Sequence, residues 1–298
     1  MSAIVGIRVK VPADAFTAET LGTERAGNGV LIRKDGLVLT IGYLVIEAET
    51  VWIQLVDGRT VPGHVLAYDH ETGFGLVQAL ARVDLPFLEL GTSSASIIGE
   101  DVVVGGAGGR EASVAARIIA KQEFAGYWEY LLDQALFTTP SHPNWGDAGL
   151  IDPSGKLIGI GSLQLQYTRS DGKSDNLNMI VPIDLLKPIL DDLVKCGRAN
   201  RPVRPWLGLY ATEVGNRLVV VGLSSRGPAK SADLRGGDVV LDVAGKEVSN
   251  LAAFYRCVWS LGPAGVEIPM RIVRKGQTLD IRMRSGDRAS YFKSPTLH

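Results

Sequence analysis

The sequence predicts a mainly β chain of 298 residues that ends in a small α+β domain. Three observations carry this expectation. Up to about residue 165, apolar residues recur in short runs with period two, the spacing of half-buried strands. The 35 glycines are spread along the chain and punctuate those runs, as many tight turns require. Beyond Asp184 the apolar spacing lengthens to that of helices, and the remaining segment mixes strands and helices.

Taken in order, the start of the chain (MSAIVGIRVKVPADAF) alternates like a strand, with the charges of Arg8 and Lys10 inside its apolar stretch. Val51-Trp-Ile-Gln-Leu55 alternates and ends at the turn Asp57-Gly58. Leu37–Thr40, Val61–Ala67, Phe74–Ala79, Val102–Gly105, Ala115–Ala120, Leu131–Phe137 and Leu157–Ile160 read likewise. Short strands at regular spacing with Gly-rich turns predict a sandwich or a barrel. Asp184 is placed to cap a helix carrying Leu186, Ile189, Leu190, Leu193 and Val194 on one face, stopped by Gly197. Residues 198–204 are polar and contain proline, and read as a linker. The spacing then predicts strands over Arg217–Leu223 and Val239–Val243 and a short helix after Gly227-Pro228. A helix capped by Asn250 and two final strands around Lys275-Gly276 complete the domain. The expected division is 1–197, a linker at 198–204, 205–287, and a tail at 288–298.

Composition excludes several classes. The net charge is −1, but residues 1–200 hold 16 Lys+Arg against 24 Asp+Glu, whereas residues 201–298 hold 15 against 8. The basic residues are scattered without the aromatic interleaving of a nucleic-acid surface, so no nucleic-acid partner is expected. Cys196 and Cys257 stand in no metal-spaced or redox motif, and no metal, nucleotide, haem or flavin is expected. No apolar run approaches the ~20 residues that span a bilayer. The start lacks the apolar core of a signal peptide, so the chain as written is expected in the cytoplasm.

Five segments in order resemble the double β-barrel of HtrA-type (DegP-like) serine proteases, which have a chymotrypsin-like fold. They are Gly27-Asn-Gly29-Val-Leu-Ile; Leu39-Thr40-Ile-Gly-Tyr43-Leu-Val45; Asp69-His-Glu-Thr72-Gly73-Phe-Gly-Leu-Val; Leu90-Gly91-Thr-Ser-Ser with Ile98-Gly99-Glu-Asp-Val-Val; and Asn144-Trp-Gly146-Asp-Ala148-Gly149. The resemblance implies that Tyr43 stands where the family carries its general base, Gly73 where it carries the orienting aspartate, and Ala148 where it carries the nucleophilic serine. A methyl group offers no nucleophile, and a phenol with a reference pKa near ~10 is a poor base at neutral pH. In a serine protease such losses cost on the order of 10⁶ in rate. Ser141 and His142 are the nearest candidates for a relocated pair, and His70 lies three residues before Gly73. The backbone N–H groups of Gly146 and Ala148 are candidates for an oxyanion-hole-like nest. The family resemblance also implies trimers and, for a trimmed chain, the periplasm.

Residues 202–287 resemble a PDZ domain. Pro205-Trp206-Leu207-Gly208-Leu209 is similar to its carboxylate-binding loop, Gly227-Pro-Ala-Lys-Ser-Ala-Asp-Leu-Arg-Gly-Gly237-Asp238 to its shared central segment, and Gly245-Lys-Glu-Val to the following turn. Such a domain adds an extended peptide to an open sheet edge and holds its terminal carboxylate on loop N–H groups. Trp206, Leu207, Gly208 and Leu209 are the expected peptide-binding loop. Phe254 and Val258 face either the side-chain pocket or the domain core.

These residues lead to the expectation of a protein that is not an enzyme and that binds peptides or protein C-termini as an adaptor, chaperone-like binder or regulatory subunit. The alternatives are a serine-type endopeptidase with a non-standard active site, and a structural subunit of a homo- or hetero-oligomer with an active relative.

Overall fold

A computed structural model describes residues 2–168 and 172–293. Six strands form the first closed barrel: β1 (Ile4–Lys10), β2 (Glu24–Leu31), β3 (Leu37–Ile41), β4 (Thr50–Gln54), β5 (Thr60–Tyr68) and β6 (Phe74–Ala79), in the order β1-β2-β3-β6-β5-β4. The alternation of β1 decides its faces: Ile7 and Val9 are buried while Arg8 and Lys10 are exposed. They join Leu31, Val38, Val51, Ile53 and Val77 in the core of this barrel. The β4–β5 turn forms because Gly58 takes φ 87°, open to glycine at little cost, while Asp57 accepts the Arg59 N–H at 3.0 Å. Between these strands lie two one-turn helices, α1 (Ala18–Leu21) and α2 (Gly42–Val45).

The second closed barrel comprises β7 (Asp101–Gly105), β8 (Ser113–Gly126), β9 (Tyr130–Thr139), β10 (Gly149–Ile151), β11 (Leu157–Thr168) and β12 (Ser174–Pro182). Its order is β10-β11-β12-β9-β8-β7. Val102, Val104, Ile118, Leu136, Leu150, Ile158 and Ile180 fill it. The sequence did not predict β12, because its inner half, Leu177–Pro182, is buried on both faces and does not alternate. The helix expected from Asp184 begins later: α3 runs Leu190–Cys196 and is closed by Gly197 at φ 71°. Pro188 disfavours helical backbone at Lys187, which ends the short 3₁₀ turn Ile183–Leu185. Asp184 accepts the Ser94 N–H at 2.8 Å instead of capping the helix.

The chain packs as two units. One takes the chain to Gln122, then Gln134–Asn200, with Lys293; the other takes Glu123–Asp133 and Arg201–Phe292. The second unit holds β13 (Leu209–Val214), β14 (Arg217–Leu223), β15 (Val239–Val243), β16 (Lys246–Glu247), β17 (Glu267–Arg274) and β18 (Gln277–Arg284). They form a sheet of order β13-β14-β15-β17-β18, with β16 beside β15. β13 is therefore an edge strand. The sheet packs with α4 (Pro228–Ser231) and α5 (Leu251–Trp259), and Asn250 caps α5 by accepting the Ala253 N–H at 2.8 Å.

This division differs from the one expected. Residues 123–133 join the second unit, and the stretch read as a linker is held there: Val203 O accepts the Ala264 N–H, and the Arg204 guanidinium lies 4.2 Å from the Trp259 ring centre. Within the expected tail, Arg288–Tyr291 forms a 3₁₀ turn and the Tyr291 ring packs on Trp206, while residues 294–298 lie outside the described residues. Among the described residues no helix is long and apolar enough to cross a membrane.

Candidate functional site

Three short segments of the two barrels carry the residues the resemblance singled out. Tyr43 lies on α2, directly after β3; Gly73 ends the turn before β6; Ala148 precedes β10. The structure brings them together, since the Gly42 N–H donates to Gly73 O at 2.7 Å and a β-carbon placed on Gly146 would lie 3.4 Å from the Tyr43 hydroxyl. Gly73 takes φ 82° and contributes only backbone. The Tyr43 hydroxyl donates to Ser162 O at 3.2 Å, and burial with the nearby Asp147 carboxyl raises its pKa well above that of a free phenol. Ala148 is fully buried and its methyl belongs to the core of the second barrel.

Of the two N–H groups expected to form a nest, at Gly146 and Ala148, that of Ala148 already has an internal acceptor. Asp147 adopts φ 64°, and this twist turns the Ala148 N–H onto Trp145 O at 3.3 Å and the Asp147 N–H onto Gly161 O at 2.9 Å. Two residues that sequence reasoning left without a role hold the loop. Asn28 donates through Nδ2 to Gly146 O at 2.6 Å and Asn144 O at 3.1 Å, and accepts the Ala107 N–H at 2.7 Å. Asp147 is buried and accepts the Ile41 N–H at 2.9 Å; burial raises its pKa to about 8 against the pull of its hydrogen bonds to Ile41, Thr40 and Asn28. A β-carbon on Gly27 would lie 2.2 Å from Asp147 Oδ2, which is why the strand facing this carboxyl carries glycine.

Ser141 and His142 do not pair as nucleophile and base. His142 Nδ1 accepts the Asn144 N–H at 3.0 Å, so Nε2 carries the proton and donates to Ala112 O at 3.0 Å. Ser141 Oγ accepts from Gln164 at 3.1 Å. His70 packs edge-on to Tyr68, with ring centres 4.3 Å apart. Among the described residues no group of three His, Cys, Asp or Glu is placed to hold a metal ion.

The second unit holds a different kind of site. The N–H groups of Leu207, Gly208 and Leu209 converge on one carboxylate, that of Glu129, at 2.9, 2.6 and 3.1 Å. Gly208 sits at φ 74°, where a side chain is strained, and a β-carbon there would lie 3.0 Å from the Trp206 ring. The side chains of Leu207 and Leu209 are fully buried, so these residues act through backbone. Trp206 is a positioning residue: its N–H donates to Gly286 O at 3.0 Å and its ring packs on Tyr291, with centres 4.8 Å apart. Burial raises the Glu129 pKa to about 7, against the three N–H groups and the Arg288 charge that favour ionisation.

Of the two alternatives for Phe254 and Val258, the structure places both side chains in the buried core of the unit. Their neighbour Tyr255 faces the site instead. Its hydroxyl accepts the Glu129 N–H at 3.2 Å and donates to Gly126 O at 2.7 Å. The sequence singled out neither Tyr255 nor Glu129. The one local signal is the run Tyr127-Trp-Glu129 in a hairpin turn, where Gly, Asn or Asp is usual, with Glu129 at φ 61°.

Comparison with known proteins gives the same two-part order. Residues 27–160 match the trypsin-like peptidase domain and residues 205–284 the PDZ domain. A protein of Hahella chejuensis named probable periplasmic serine endoprotease DegP-like is 29% identical over 88% of this chain and 57% of its own length. One of the same name from Halomonas elongata is 27% identical over 88% of this chain and 56% of its own. The chain thus spans about half the length of the curated relatives it matches. A solved structure of the HtrA-type protease AlgW with decapeptide covers 99% of this chain and 97% of its own at TM-score 0.57 and 20% identity, a likeness of fold.

These relatives correct the expectation that the chain is not an enzyme. They are named serine endoproteases and match 88% of the chain, and both barrels that frame such a site are closed here. Three side chains were a narrower basis than this shared scaffold, and the adaptor, chaperone-like and regulatory roles inferred from inactivity lose that support. The cytoplasmic expectation likewise finds no support in relatives named periplasmic. The chain thus carries a trypsin-like peptidase domain followed by a PDZ domain and is similar, over 88% of its length, to proteins named DegP-like.

Proposed function

We propose that this chain handles polypeptides by holding their C-terminal ends on the Leu207–Leu209 cradle. The observation that carries this reading is the carboxylate already seated on those three N–H groups. Every free polypeptide ends in a group of that charge and shape, and β13 beside the cradle is a sheet edge to which an extended peptide can add. The excess of basic residues in 201–298 favours the approach of an anionic end at low salt. The same compartment as the relatives, the periplasm, is part of the proposal.

The test is fluorescence anisotropy with labelled Ala-Gly-Tyr-Trp-Val, bearing either a free C-terminal carboxylate or an amide, on the wild-type and Glu129→Ala proteins. Amidation is expected to weaken binding at least about tenfold, equivalent to about 1.4 kcal/mol. Equal binding of the two peptides by both proteins overturns the reading.

A second reading, favoured by the names of the relatives, is a serine-type endopeptidase with a non-standard active site. Tyr43, Gly73 and Ala148, where the resemblance places the triad, offer a phenol, bare backbone and a methyl, so this reading requires another nucleophile. It expects hydrolysis of unfolded casein that survives repurification, together with covalent labelling by a fluorophosphonate. Turnover at background with no labelling rejects it.

A further inference from the structure

We propose that Tyr127–Glu129 is an internal ligand of the second unit: this turn occupies the carboxylate cradle and the edge of β13 as an incoming C-terminus would, so that peptide binding requires its release. The proposal rests on the reading above that the cradle takes C-terminal carboxylates.

Two contacts set the register. The Glu129 carboxylate takes the N–H groups of Leu207, Gly208 and Leu209. Two residues back along the turn, Tyr127 O accepts the N–H of Ala211, two residues forward along β13, at 3.3 Å. Equal steps in opposite directions describe a segment lying antiparallel to the edge strand, the arrangement of strand addition. Around them, the Tyr127 ring meets Tyr210 edge-on at 6.0 Å between centres, Tyr255 joins Gly126 O and the Glu129 N–H, and Arg288 donates to Trp128 O at 3.3 Å.

Glu129 differs from a true C-terminus in one respect: the chain continues into β9. Its backbone turns away at φ 61°, a region that non-glycine residues occupy at a cost, and the side chain delivers the carboxylate. Competition follows from counting donors. Each N–H carries one hydrogen, and all three point at Glu129, so a peptide carboxylate requires the same groups. Tyr127, the residue against the strand edge, remains 53% exposed, so this end of the segment lies open to displacement.

The test uses the full chain as wild type and as Glu129→Ala, with Glu129→Gln as the isosteric substitute should the alanine protein fail to fold. Hydrogen–deuterium exchange is read at the Leu207–Leu209 amides, and the anisotropy of the free-carboxylate pentapeptide probe is read in parallel. The expected result is at least tenfold faster exchange at those amides in Glu129→Ala, at least tenfold tighter probe binding than in wild type, and restored protection when the probe is added. Unchanged exchange shows that the contact is not made and overturns the proposal. Faster exchange with probe affinity equal in the two proteins overturns competition. If exchange differs but neither protein distinguishes the carboxylate probe from its amide, the peptide-binding reading itself fails, and competition fails with it.

Discussion

Truncating Phe254 to alanine is expected to cost the second unit about 3–5 kcal/mol, the usual loss when a fully buried phenylalanine leaves a cavity. Phe254 is completely buried among Leu209, Val220, Val243, Tyr255, Ile268 and Met270. Differential scanning calorimetry should show the transition of this unit moving down while that of the barrels holds. The outcome separates two roles that the sequence left open. A pocket residue would change peptide affinity at nearly constant stability. A core residue changes stability first, and any loss of affinity follows the unfolded fraction.

The second large effect concerns pH. Asp147 has a folded-state pKa of about 8, raised by burial from an ordinary carboxyl value of 3.8. The folded form therefore keeps a proton that the unfolded chain has lost. The sign follows from linkage: this group's contribution is fully present below pH 3.8 and is lost as pH rises through about 8. The slope is about 1.4 kcal/mol per pH unit inside that window. Asparagine at this position has no such titration. Urea unfolding of wild type and Asp147→Asn at pH 5, 6.5 and 8 should show the wild-type protein losing ground steadily to the variant as pH rises. Parallel curves would mean that Asp147 is ionised in the fold and that its hydrogen bonds from Ile41 and Thr40 outweigh burial.

The sequence revealed those parts of the molecule that are written locally. Period-two strands, the Asp57-Gly58 turn, the Asn250 cap and the glycine of the cradle each depend on a few neighbouring residues, and each is where its pattern places it. Failures came where distance or burial overrides pattern. β12 is buried on both faces and carries no alternation in its inner half. Phe254 and Tyr255 are adjacent on α5 and both buried, and no local pattern shows that only Tyr255 carries a hydroxyl bonded to Gly126 O and the Glu129 N–H. Glu129 lies 78 residues from Leu207, and no local rule links a hairpin turn to three distant N–H groups. The engagement of the 146–148 loop by Asn28 and Asp147 was likewise not legible, since Asn28 lies 118 residues from Gly146.

The central claim is that Leu207, Gly208 and Leu209 form a seat for a terminal carboxylate. Its most direct test is an amide chemical-shift titration of the Glu129→Ala protein with the pentapeptide probe in its free-carboxylate and amidated forms. The account predicts that the free-carboxylate peptide shifts the amides of residues 207–209 first and most strongly, followed by those along β13, and that the amidated peptide leaves the first three nearly unmoved. Identical shifts from both peptides, or shifts confined to other surfaces, would contradict it.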